Sequence, residues 1–175
     1  MVAPNPISSS PTQSKSKDSF RLQQWIEKYA DLSYDLCESV LWSPSTANVV
    51  FKQTLQTWKS LAKNGEAFAK HERAFVLSNT VSILIPFAEK HGRKLNPSEQ
   101  LMLDANYSPK ERVDFLDSYL HRLSPRDQIL LLLFYRYQLP SSEISTILRE
   151  PEKSLELHCT QILESLRSWI WETSV

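Results

Sequence analysis

Apolar residues recur at spacings of three and four along most of this chain, the period of an amphipathic helix. Leu22, Trp25, Ile26, Tyr29, Leu36, Cys37, Val40 and Leu41 mark a first helix over Phe20–Trp42. Ser43-Pro44 opens a second, with a hydroxyl cap and proline at the first helical position. Its inner stripe runs Ala47, Val50, Phe51, Leu55, Trp58, Leu61 and Ala62, and Asn64-Gly65 stops it. A third helix spans about Glu72 to His91, carrying Phe75, Val76, Ile83, Leu84, Phe87 and Ala88, and Gly92 ends it. Pro86 lies inside this pattern and predicts either a kink or a break into two helices.

The second half repeats the logic with sharper punctuation. Asn96-Pro97-Ser98-Glu99 and Ser108-Pro109-Lys110-Glu111 both read as capping boxes. The first opens a short helix with Leu101 to Leu103, and the second a helix carrying Val113, Phe115, Leu116, Tyr119 and Leu120. Ser124-Pro125-Arg126-Asp127 starts another helix, whose apolar run Ile129 to Tyr135 exceeds one exposed face and predicts burial. Leu139-Pro140 ends it. Glu143 to Leu148 is a short helix with Ile144, Ile147 and Leu148 on one face, and Arg149-Glu150-Pro151 turns the chain. The last helix carries Leu155, Ile162, Leu163, Leu166, Trp169 and Ile170 on its inner side. A short helix, a tight turn and a longer helix form the helix-turn-helix pattern, whose second helix normally enters the DNA major groove.

The expected fold is therefore all-α: two small helical domains joined by a linker, the C-terminal one a helix-turn-helix. Residues 1–19, rich in Ser and Pro, read as a disordered tail. Residues 20–94 form the N-terminal domain, 95–107 the linker and 108–172 the C-terminal domain. Composition agrees: 41% of the 175 residues are hydrophobic, and there are only 2 Gly against 10 Pro, half of them at helix starts.

The formal net charge is +0, which favours no partner, but its distribution is uneven. Lys52 to Lys94 holds eight Lys/Arg against three Asp/Glu, while Pro140 to the end holds three against six. A recognition helix for DNA usually shows the opposite sign. The N-terminal basic region includes Lys52, Lys59, Lys63, Lys70 and Arg73, followed by Lys90, Arg93 and Lys94. It reads as a DNA-backbone contact or as a solvated face. Cys37 and Cys159 fall on separate helices and read as reduced core thiols. No apolar run approaches the roughly 18 residues a membrane span needs. The N-terminus lacks an apolar signal core, so a cytoplasmic location is expected. His71, His91, His121 and His158 form no metal-binding spacing, and neither a glycine-rich phosphate loop nor a nucleophile elbow occurs. Neither an enzyme nor a cofactor is expected.

The C-terminal residues Leu123-Ser124-Pro125-Arg126-Asp127, the apolar run, Tyr135, Ser141 to Leu148 and Pro151-Glu152-Lys153-Ser154-Leu155 resemble the DNA-binding region of bacterial sigma factors, most closely the extracytoplasmic-function type. The resemblance spans about 45 residues in register. A looser one covers Tyr29 to Leu41, Ser43-Pro44-Ser45-Thr46-Ala47, Gln53-Thr54, Trp58 and Arg73-Ala74-Phe75-Val76-Leu77. It implies a transcription initiation protein that binds core RNA polymerase and promoter DNA, with an anti-sigma protein as a further implied partner. By the same resemblance, Asn48, Lys52, Gln53 and Trp58 would meet polymerase. Lys153, Ser154, Glu156, His158, Gln161 and Arg167 would face duplex DNA, with Arg73, Lys90, Arg93 and Lys94 as further DNA contacts. The sequence departs from the family in carrying Glu156, His158 and Gln161 where the family has Lys and Arg. Asn48 and Val49 replace its acids, and Val81 and Ser82 its Arg-Asn pair. Two other readings stay open. One is a sigma-like regulator acting through protein contacts with little DNA reading. The other is a helix-turn-helix regulator of another family.

Overall fold

The structure is a computed structural model that describes residues 12–63, 71–91, 119–120 and 122–172. Over 12–18 and 169–172 it describes the backbone alone. The stops at Gly65 and Gly92, both capping boxes, the linker 95–107, most of the helix after Ser108, and the side chains of Trp169 and Ile170 lie outside the described residues. Six helices account for nearly everything else, with no strand among the described residues: α1 Thr12–Leu41, α2 Pro44–Lys63, α3 Glu72–His91, α4 Pro125–Leu131, α5 Ser141–Leu148 and α6 Glu152–Glu172. A π-helical turn, Leu132–Arg136, extends α4. The all-α expectation holds.

α1 folds back on α2 through Trp42 and Ser43, and the two pack along their length. The Ser43 side chain accepts from the Thr46 N–H at 3.4 Å, as expected of a cap. α1 begins at Thr12, inside the stretch that composition assigns to the tail. Polar residues such as Gln13, Lys15 and Lys17 cost a helix little, and extending a helix already nucleated by packing is far easier than starting one. Ile26, expected on the inner stripe, is 40% exposed.

α3 is the centre of the molecule. It packs on α1 and α2 with one side and on α5 and α4 with the other. It therefore buries Ala74, Val76, Leu77, Ser78, Thr80, Val81, Leu84 and Ala88, a set too wide for one amphipathic stripe. Ser33 and Thr80 are both fully buried where α1 meets α3, and the Thr80 hydroxyl lies 3.3 Å from that of Ser33. α3 runs unbroken through Pro86. Pro86 and Ser82 both face solvent, so water can satisfy the Ser82 carbonyl that proline leaves without its N–H partner.

The main core is one cluster drawn from both halves of the chain. It joins Leu36 and Val40 of α1, Val50 of α2, Leu77 and Leu84 of α3, Ile129 and Leu133 of the α4 segment, Ile144 of α5 and Leu155 of α6. A smaller cluster holds Trp25, Trp58, Ala62 and Val76, with Phe75 tilted against Trp25 at 6.1 Å. With so few glycines, three segments end on residues in the left-handed region: Trp42 (φ 52°), Gln138 (φ 50°) and Arg149 (φ 57°). A side chain there carries a steric cost that glycine avoids.

Candidate nucleic-acid interface

The C-terminal corner is built from α4 outward. The Ser124 hydroxyl accepts from the Asp127 N–H at 3.1 Å, and Pro125 fills the first helical position. Arg126 then projects to the corner after α5. Its guanidinium donates to the Leu148 carbonyl at 3.0 Å and pairs with the Glu150 carboxylate. It thus satisfies an end carbonyl of α5 and holds the turn that launches α6. The Ser145 hydroxyl donates to the Glu150 carbonyl at 2.6 Å from the other side. α5 buries Ile144, Ile147 and Leu148, as its spacing predicts, and α6 buries Leu155, Cys159 and Ile162.

On α6 the expected contact residues divide into two groups. Lys153, Ser154, Gln161 and Arg167 face solvent. Glu156 accepts from the Ser141 hydroxyl at 3.0 Å, at the start of α5, where the helix dipole favours a carboxylate. His158 turns inward, its Nε2 3.0 Å from the Asp127 carboxylate of α4. Both thereby fix α6 against its neighbours. Leu157, which the apolar pattern does not select, stands 61% exposed on the outer face between Lys153 and Gln161.

The residues expected on α2 and α3 divide similarly. Asn48, Lys52 and Gln53 are exposed on α2, with the Asn48 amide donating to the Pro44 carbonyl at 2.8 Å. Trp58 is a correction: at 0% exposure it belongs to the smaller core and offers no surface to polymerase. The helical period that puts it beside Leu61 and Ala62 also puts it inside. Lys90 is exposed near the end of α3, while Arg93, Lys94 and Lys70 lie outside the described residues. Arg73 does not point to open solvent. It makes a two-pronged pair with Glu143 of α5, Nε and Nη2 each at 2.7 Å from a different carboxylate oxygen.

This pair belongs to a set of polar ties between the two halves. Hydrogen bonding to Glu143 is the chief cause that raises the Arg73 pKa further. Nearby, Glu72 accepts from Tyr29 at 3.1 Å and pairs with Lys28 at 3.4 Å. Burial, then the Glu72 charge, pushes the Tyr29 phenol up to about 12. A second tie centres on Asp35 of α1. It pairs with Arg136 at 2.7 Å and accepts a short hydrogen bond from Tyr137. Burial first, and that bond second, raise the Tyr137 pKa strongly. The π turn makes this possible. The Tyr137 N–H reaches back five residues to the Leu132 carbonyl at 2.9 Å, and the wider turn brings Arg136 and Tyr137 together over α1.

Asp35, Glu143, Arg126, Arg136, Tyr137 and Leu157 are not among the site residues expected from sequence. Asp35, one residue before the inner-facing Leu36, was the strongest available hint, but its partners lie about a hundred residues away. No group of three or more His, Cys, Asp or Glu residues that could hold a metal ion occurs among the described residues. No described helix is long and apolar enough to cross a membrane. No family model matches the chain, and no curated protein is significantly similar to it.

Proposed function

We propose that this chain is a sigma-factor-like transcription initiation protein that binds core RNA polymerase and directs it to promoter DNA. The observation that carries the reading is the corner between α5 and α6. A short helix, a three-residue turn with Arg149 in the left-handed region and a long helix follow one another in the register of the motif. Arg126, from the Leu-Ser-Pro-Arg-Asp segment that resembles the family, staples that corner. In this reading α5 and α6 form the helix-turn-helix, and 20–94 and 108–172 are two units that share one core here and are joined by the linker 95–107. The exposed α2 residues Asn48, Lys52 and Gln53 meet the polymerase clamp. The solvent face of α6 enters the major groove with Lys153, Ser154, Gln161 and Arg167. Leu157 at the centre of that face suits an apolar contact with a thymine methyl.

A second reading is favoured by one specific observation. Arg73 is occupied by Glu143, and the outer face of α6 carries Glu152 and Glu164 beside its two cations. Phosphate contacts supply much of the affinity for DNA, so a sparse cationic face weakens binding. That pattern fits a sigma-like regulator that works through protein contacts. Promoter-directed transcription with purified core polymerase separates the two. Selection of a DNA sequence that changes when Leu157 and Gln161 are replaced supports promoter reading. Polymerase binding without any sequence preference supports the regulator.

A further inference from the structure

We infer that the solvent face of α2 is a nucleic-acid surface, which takes the phosphate backbone of a duplex along a stripe formed by Lys52, Lys59 and Lys63. This goes beyond the polymerase reading and does not depend on it: Lys52 and Gln53, which that reading places at the clamp, take the duplex in the chain free of polymerase. α2 carries three lysines and no acidic residue over its 20 positions. At 100° per residue, positions seven and eleven beyond Lys52 return to within about 20° of it, so the three lysines share one line down the helix. All three are exposed. The helical rise separates Lys52 from Lys59 by about 10 Å and Lys59 from Lys63 by about 6 Å. Gln53, Gln56 and Ser60 are exposed beside the stripe, neutral donors of the kind that bind phosphate and sugar oxygens.

Solvation alone accounts poorly for this pattern. Lys59 and Lys63 stand four apart, an arrangement of like charges that costs a helix a few tenths of a kcal/mol. The helix dipole favours Lys63 in the last turn, but gives nothing to Lys52 in mid-helix. Cations at helix contacts are matched, Lys28 by Glu72, Arg73 by Glu143, Arg126 by Glu150 and Arg136 by Asp35, while other exposed cations such as Lys90, Lys153 and Arg167 form no ion pair among the described residues. Among the described residues, no ion pair forms to the three lysines of α2. An anionic lipid surface is the other large polyanion, but an interfacial helix needs an apolar face to insert, and α2 exposes only Val49 among its large apolar residues.

The test is fluorescence anisotropy of a labelled 20-base-pair duplex of arbitrary sequence with the full chain, between 50 and 200 mM salt. A triple variant, Lys52→Gln, Lys59→Gln and Lys63→Gln, changes only exposed positions, and circular dichroism checks that its helix content is kept. Three phosphate contacts contribute a slope of about −2.7 in log K against log salt, a loss of about 40-fold over this range. The triple variant is expected to lose that part of the slope and to bind at least tenfold more weakly at 50 mM. A Lys28→Gln variant, which removes an exposed cation of α1, is expected to keep it. The inference is overturned if the triple variant binds like the native chain, or if the native chain does not bind the duplex at 50 mM salt. Binding to phosphatidylserine vesicles but not to the duplex overturns it too. The assay contains neither polymerase nor promoter, so its failure leaves the sigma reading standing, and failure of polymerase binding leaves this inference standing.

Discussion

Replacing Arg73 tests how the two halves of the chain are held together. Its guanidinium bridges α3 to α5 through two 2.7 Å hydrogen bonds to Glu143, with side-chain exposures of 42% and 24%. A two-pronged charged pair is stronger than a single contact, but the exposure of Arg73 screens it. The expected coupling energy is therefore about 1 kcal/mol, near the upper end for surface pairs. The single changes should be unequal. Arg73→Met keeps most of the packing stem but leaves the half-buried Glu143 carboxylate without its guanidinium, and should cost about 1.5–2 kcal/mol. Glu143→Gln can still accept a hydrogen bond and should cost about 1 kcal/mol. Urea unfolding of the native chain, both single variants and the double variant gives the coupling directly. The coupling should shrink as salt is raised. A coupling below about 0.3 kcal/mol at low salt would refute the view that this pair ties the halves together.

Four further outcomes are expected. Trp58→Ala should lower stability by about 3–5 kcal/mol in urea unfolding, since it empties a wholly buried site, whereas a surface role predicts almost no change. Arg149→Gly should raise stability by about 0.5–1 kcal/mol by relieving a left-handed residue, read as a higher urea midpoint at unchanged slope. Burial pushes the Cys37 thiol up to about 12, so it should resist alkylation at pH 8 until urea unfolds the chain; rapid native labelling would contradict its placement. The Tyr29 phenol is raised from near 10 to about 12, so the folded state holds its proton more tightly than the unfolded state. Its contribution to stability is complete below pH 10 and is lost as pH rises towards 12, so Tyr29→Phe should flatten the fall of the thermal midpoint over that window.

The helices were largely legible because their signals are local. Ser43-Pro44 and Ser124-Pro125 mark helix starts by cap chemistry alone, and the three-four spacing of Ile144, Ile147 and Leu148 marks the buried face of α5. Three features escaped because their causes are not local. α3 buries residues on two sides, and a single-stripe pattern cannot announce a helix sandwiched between two halves. The π turn at Leu132–Arg136 inserts one residue into an apolar run whose composition would equally suit a regular helix. Asp35 with Arg136, and Arg73 with Glu143, pair across separations that no local pattern encodes. The site was legible only as a set of exposed positions on α6. Which of them are engaged, as Glu156 and His158 are, depends on how α6 meets α5 and α4.

Binding to core RNA polymerase tests the central claim most directly. Purified full-length chain, labelled at a position away from α2, is titrated with core enzyme and followed by anisotropy. The sigma reading predicts saturable binding at nanomolar polymerase, weakened by substitution of Asn48 and Gln53 on the exposed face of α2 and unchanged by substitution of Leu157 on α6. Absence of binding at micromolar polymerase would contradict it, and would mean that these helices serve another partner.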